Sequence, residues 1–151
     1  MDRALAVVEA KEATKDLVAE AGKLAAGVDA ELVLLHVTTE EEFQGRRSTL
    51  ENVAGLDTEY NVDNARAGAQ RFAEKVGIQV LDDGIEYSAL GRIGNPQELI
   101  LDTAEQEEID HIFVHGKQRS PTGKAVFGDT AQAIILNFDG PVTVTTSKEE
   151  E

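Results

Sequence analysis

Asp110–Asn137, DHIFVHGKQRSPTGKAVFGDTAQAIILN, reads in one stretch as a strand, a loop and the start of a helix. The apolar run Ile112-Phe113-Val114 stops at Gly116, a polar loop with Gly123 and Gly128 follows, and Asp129-Thr130 opens an amphipathic segment. A strand leading through a glycine loop into a helix aims backbone N–H groups and the positive end of a helix dipole at an anion. Lys117, Arg119 and Lys124 fall within eight positions of this loop, and no acidic residue stands between Asp110 and Asp129. The whole chain has only 14 basic residues in 151, so the local charge is reversed. The loop reads as a site for a phosphate-bearing or other anionic small molecule. The alternative is a solvated loop whose glycines only make turns.

Outward from this stretch, apolar runs and helical stripes alternate. Ala4–Val8 (ALAVV) and Leu32–Val37 (LVLLHV) are continuous apolar runs, as expected of strands covered on both faces. Between them Thr14–Ala26 carries Leu17, Val18, Ala21, Leu24 and Ala25 on one stripe, with Gly27 placed as a C-cap. A polar, Glu-rich segment ending in Gly45-Arg46-Arg47 comes next. Residues 58–76 turn helical again, with Gly77 closing the helix. Ile85–Leu90 reads as a third strand and Gly91–Gly94 as a turn. Asn95-Pro96-Gln97-Glu98 supplies an N-cap, a proline at the first helical position and a glutamate at the third. His111–His115 is strand four, Asp129–Asn137 a helix, and Val142–Thr146 the fifth strand after Gly140-Pro141. This alternation predicts an α/β domain with a parallel sheet and helices on both faces, spanning 1–146, followed by an acidic tail, 147–151.

Composition narrows the partners. A net charge of −15 and a lack of any basic face make nucleic acid an improbable ligand. The 29 acidic residues against 14 basic ones suggest a surface suited to concentrated salt, where self-repulsion is screened. The absence of cysteine excludes disulfides and thiolate chemistry. The apolar run near the N-terminus is too short for a signal peptide or membrane span. The expectation is a soluble, cytoplasmic protein without membrane or nucleic-acid partners.

In a parallel sheet, ligands bind beyond the carboxyl ends of the strands. The loops there hold Lys11, Arg46, Arg47, Arg92, Lys117, Arg119 and Lys124, half of the 14 basic residues, beside Glu12 and the Glu40–Glu42 run, so the edge is mixed in charge. Committed catalytic machinery is missing. The histidines (His36, His111, His115) show no zinc-binding spacing, Ser120, Thr122 and Ser147 lack a nucleophile elbow, and Gly123-Lys124 lacks the rest of a Walker motif. Neither a catalytic residue nor a metal site is expected. His111 is expected at a strand's entry edge and His36 packed against a helix.

At this point the chain resembles the universal stress protein family over nearly its whole length. The matching segments are Ala4–Glu9, Glu31–Val37, Gly94-Asn95-Pro96 with Glu98-Leu99-Ile100, and Gly128-Asp129-Thr130 leading to Pro141–Val144. The resemblance implies a five-stranded parallel sheet of order 3-2-1-4-5, a Rossmann-like, adenine nucleotide alpha hydrolase-like fold. It also implies a homodimer formed through the last strand, here Val142 and Val144, which could instead be ordinary core residues. Some members bind ATP or another adenine nucleotide through a loop of pattern G-x2-G-x9-G-[ST]. Carried over, Gly116 matches the first glycine and Gly128 the third, Arg119 stands at the second, and Asp129 replaces the Ser or Thr. The loop is one residue shorter, and Gly123 compensates in part. Glu9 would stand for the Asp that recognises the adenosine, the Val37 backbone would lie beside the base, and Val8, His115, Lys124 and Thr130 would stand around the pocket.

The departures have physical content. Arginine cannot allow the close backbone approach that glycine does, but its guanidinium can reach a phosphate. Asp129 caps a helix, yet at ~4 Å from an anion it would repel by about 4 kcal/mol at an effective dielectric near 20. Arg119, Lys124 or a Mg²⁺ ion would have to offset that. Two readings follow: a stress-response dimer that binds ATP, AMP or another anion without clear turnover, and a stress-associated interaction protein that binds no nucleotide. A receiver-like signalling domain fits less well, because the acidic pair after strand one is missing. If the acidic surface is an adaptation to salt, the thermal unfolding midpoint rises with KCl toward molar concentration. A steady fall across that range would refute it.

Overall fold

A computed structural model gives the fold and describes residues 1–51, 61–117 and 127–147. Ten elements follow in chain order: β1 (Arg3–Val7), α1 (Ala13–Gly27), β2 (Glu31–Thr38), α2 (Glu40–Glu51), α3 (Val62–Val80), β3 (Tyr87–Ile93), α4 (Pro96–Gln106), β4 (His111–Lys117), α5 (Asp129–Asn137) and β5 (Val142–Ser147). The five strands form one parallel sheet of order β3-β2-β1-β4-β5. This is the adenine nucleotide alpha hydrolase-like arrangement.

The central position of β1 explains its composition. Ala4, Leu5 and Ala6 are 0% exposed, and Val7 and Val8 nearly so. Alternate side chains serve opposite faces. Ala4, Ala6 and Val8 join Leu17, Val18, Ala21, Leu34, Val76 and Phe113 in a core under α1 and α3. Leu5 and Val7 join Val33, Leu35, Ile100, Ile112, Val114 and Ile134 in a core under α4 and α5. Burying one such aliphatic side chain is worth about 1.5–3 kcal/mol. The edge strand β5 alternates instead: Val142 and Val144 pack on the α5 side, while Thr143 and Thr145 pair with histidines of β4 on the other.

His111 does lie at the entry of β4. Its Nε2 is 2.8 Å from Thr143 Oγ1 and its ring stacks on Phe113. Burial holds its pKa below the usual histidine value, against the raising influence of Asp110 and with a smaller lowering from the N-terminal ammonium.

Several local expectations need correction. Gly27 is the last helical residue of α1 and not its cap; the left-handed conformation falls at Asp29, φ 60°, where the Ala30 N–H turns back to Ala25 O. Asp tolerates that conformation better than most residues. The Glu-rich segment is a helix, α2, opened by a reciprocal cap in which the Glu42 N–H donates to Thr39 Oγ1 and the Thr39 N–H to Glu42 Oε1. Helix α3 continues through Gly77, against which the Tyr87 ring lies. The residues read as a turn, 91–93, instead prolong β3, and only Gly94 (φ 142°) turns the chain, into Asn95, which caps α4. The tail residues 148–151 lie outside the described residues.

Gly91 belongs to the strand for a packing reason. A Cβ there would stand 2.3 Å from Gln70 N and 2.4 Å from Arg66 O, both backbone atoms of α3. The helix therefore rests its main chain directly on β3, and no rotamer change can make room. Gly91→Ala is expected to lower stability by about 1–3 kcal/mol or more. Gly84→Ala, at a position with open space, is expected to change it by about 0.5 kcal/mol or less. Urea unfolding of both variants in one buffer checks the contrast, and equal effects would contradict it.

Candidate functional site

Strand order reverses between β1 and β4, and a cleft of about 230 Å³ opens at the carboxyl end of β1. Its walls come from the turn after β1 (Val7, Val8, Glu9, Ala10, Lys11), the end of β2 (His36, Val37), Thr39 and Glu42 at the start of α2, and Pro96 and Ile100 of α4. Thr130 of α5 completes them. The starts of three helices, α2, α4 and α5, thus stand at its rim. The first turn of α4 is well defined because the Asn95 side chain accepts from the Glu98 N–H and Pro96 needs no partner at its position.

The Val8–Glu9 peptide on this rim is held from three sides. The Val8 N–H donates to Leu35 O at 2.8 Å, and His36 Nδ1–H donates to Val8 O at 2.7 Å. The Glu9 N–H donates to Thr14 Oγ1 at 2.8 Å, with Thr14 only 2% exposed. His36 also packs on Phe72 of α3, with ring centroids 4.6 Å apart. A cleft whose floor is fixed before a ligand arrives loses little ordering entropy on binding.

The structure brings together Val8, Glu9, Val37 and Thr130 of the residues expected around a ligand. His115 stands apart from them. It shares the strand alternation of His111 and Phe113, facing α1, where its Nδ1 bonds Thr145 Oγ1 at 3.2 Å; it is 8% exposed and does not line the cleft. Gly116, Gly128 and Asp129 do not line it either. Gly116 has a packing reason of its own, since a Cβ there would come 2.9 Å from Val144 Cγ1 and 3.1 Å from the Phe127 ring. Asp129 is the first residue of α5, with Gly128 as its N-cap. Arg119, Gly123 and Lys124, the centre of the expected anion loop, lie outside the described residues.

Sequence reasoning missed Thr14, Thr39, Glu42, Pro96 and Ile100 at this site, and gave His36 only its packing role. Thr39-x-x-Glu42 carried a readable capping signal; Thr14 carried none. Among the described residues no three His, Cys, Asp or Glu side chains cluster as a metal site. No described helix is long and apolar enough to cross a membrane.

The parallel 3-2-1-4-5 sheet with a cleft at its switch point defines an open α/β protein of the adenine nucleotide alpha hydrolase-like class. The universal stress protein family profile matches residues 1–146, and the chain belongs to that family. It is 28% identical over 126 residues to universal stress protein MJ0577 of Methanocaldococcus jannaschii, covering 78% of each chain. The solved structure of MJ0577 superposes with a TM-score of 0.68 at 20% identity, covering 99% of this chain and 98% of that one. A family protein from Arabidopsis thaliana solved with AMP bound gives 0.60 at 14% identity, covering 99% and 94%. A universal stress protein in complex with cAMP gives 0.59 at 13%, covering 96% of each. At these identities the three structural likenesses speak for fold.

Thr14→Val keeps the shape at the rim but leaves the Glu9 N–H without its acceptor. It is expected to cost about 1 kcal/mol of stability and to speed amide hydrogen exchange at Glu9, with Thr14→Ser restoring both. Unchanged exchange at Glu9 in the valine variant would show that the hydroxyl does not hold the turn.

Proposed function

We propose that this protein is a stress-response dimer that binds an adenine nucleotide in the cleft between the ends of β1 and β2, without catalytic turnover, in the cytoplasm. One observation carries the reading: the Val8–Glu9 peptide, pinned by Leu35, His36 and Thr14, stands beside Val37 and Thr130 in one preformed cleft. Glu9 and Val37 are the positions at which the family resemblance puts the adenosine and its base. The cleft volume of about 230 Å³ falls below the roughly 300–1,000 Å³ of whole small-molecule sites. It therefore suits a base and sugar, with phosphates extending beyond it.

Family proteins solved with AMP and with cAMP support an adenine ligand. A Mg²⁺ ion in such a site is carried by phosphates and one or two carboxylates. Glu9 fits that role, since its carboxylate is not engaged in a cap as Glu42 is. The ion would screen the phosphate charge. For the dimer, β5 is the free edge of the sheet, and its Val142 and Val144 are only partly buried by their own chain. An exposed edge strand is relieved by pairing with a second copy.

A second reading has one observation in its favour. Gly116, the first glycine of the nucleotide-binding pattern, has a packing role against Val144 and Phe127 whether or not a phosphate is near. That fits a protein that keeps the fold but acts through its dimer or surface.

Calorimetric titration with AMP and with ATP plus Mg²⁺ separates the two readings. Saturable binding is expected, and Val37→Trp, which fills the cleft, is expected to weaken it about tenfold or more while the protein stays folded. Absence of heat with either nucleotide, or equal affinity in the tryptophan variant, would favour the second reading.

A further inference from the structure

A second cavity, of about 340 Å³, lies on the opposite face of the sheet beneath α3. Its lining includes Thr38 and His36 of β2, Arg46 of α2, and Asn64 and Arg71 of α3. Among the described residues it carries two guanidinium groups and no carboxylate, in a chain of net charge −15. Neither arginine forms an ion pair with a described residue, whereas Arg3 at the other edge of the sheet pairs with both Glu31 and Glu107. In an acidic protein with 29 acidic residues, two arginines on one cavity wall with no ion pair to a described residue need an explanation.

Thr38 gives a second, independent observation. It is 0% exposed, its Oγ1 has no hydrogen-bond partner among the described residues, and it lines this cavity. A buried hydroxyl without a partner is destabilising unless a ligand satisfies it. His36 adds an acceptor. Its Nδ1–H is committed to Val8 O, so the neutral ring presents Nε2 as a lone pair.

We propose that this cavity is an oxyanion site for a phosphate group, separate from the nucleotide cleft. Arg46 and Arg71 donate to the charged oxygens, Thr38 and Asn64 supply neutral donors, and His36 Nε2 accepts from the hydroxyl of a singly protonated phosphate. Arginine forks match this geometry better than lysines do. His36 and Ala10 line both cavities, so the two sites share a wall.

The test is a titration of the full chain, ¹⁵N-labelled, with inorganic phosphate and separately with glycerol 3-phosphate, against potassium chloride at matched ionic strength. Saturable amide shifts are expected at Thr38, Asn64 and Gly68, with Thr130 in the other cleft unmoved. If only one of the two saturates, the site takes that source of phosphate. Arg46→Ala and Arg71→Ala, both at exposed positions, should each weaken binding about tenfold. Thr38→Val should weaken it too while raising the unfolding midpoint of the free protein, because the unpaired hydroxyl is gone. Shifts reproduced by chloride, no saturation with either phosphate, or full affinity in both arginine variants would overturn the proposal. Binding of AMP in the first cleft is read at Thr130 and Val37, so either site can fail without the other.

Discussion

Both faces of β1 are buried, and that constraint orders the rest of the molecule. A strand with Ala4, Leu5 and Ala6 wholly out of water needs a neighbour on each edge and a helical layer on each face. The chain supplies β2 and β4 as the neighbours, with crossovers that place α1 and α3 on one side and α4 and α5 on the other. Strand order must then reverse beside β1, and the crevice at its carboxyl end is a consequence. The cleft therefore needs no special construction. What is specific is the Val8–Glu9 turn, whose polar groups are satisfied by Leu35, His36 and Thr14 before any ligand is present.

The two helical layers differ in how closely they approach the sheet. Gly91 lets the backbone of α3 rest on β3, and its partner in the register is His36. That close seat brings Phe72 against the His36 ring and sets Asn64, Gly68 and Arg71 beside the end of β2. The imidazole is the common wall between the two cavities. A change in the seat of α3 would move His36 and, through its bond to Val8 O, the rim of the first cleft. Coupling of this kind is carried by contacts already present.

Much of this was legible from residues alone. The unbroken runs at Ala4–Val8 and Leu32–Val37 marked buried strands, and Asn95-Pro96-x-Glu98 marked the start of α4 within a residue. Other features depended on partners distant in sequence. Gly91 looked like a turn because glycine more often marks one, and a helix backbone lying on a strand leaves no trace in the local pattern. Helix α2 lacks an apolar stripe, with Phe43 its buried hydrophobic residue, so periodicity was silent and only Thr39 and Glu42 signalled its start. His115 could have been placed by parity, since it follows Phe113 by two residues and faces the same way. Thr14 could not, because a threonine in the first turn of a helix has no reason in sequence to reach back to residue 9.

Charge gives the molecule a direction along its strands. At the amino edge, Arg3 bonds the Glu107 carbonyl and carboxylate and also Glu31, tying β1, β2 and the end of α4 together. At the carboxyl edge, Lys11 lines one cavity while Arg46 and Arg71 line the other, and none of the three forms an ion pair with a described residue. A chain with a twofold excess of carboxylates over cations could neutralise every one of these side chains at little cost. Local self-neutralisation is the default for an acidic surface, so Arg46 and Arg71, which share their cavity with no described carboxylate, mark a place where negative charge can arrive from outside, whereas Lys11 shares its cleft with Glu9 and Glu42.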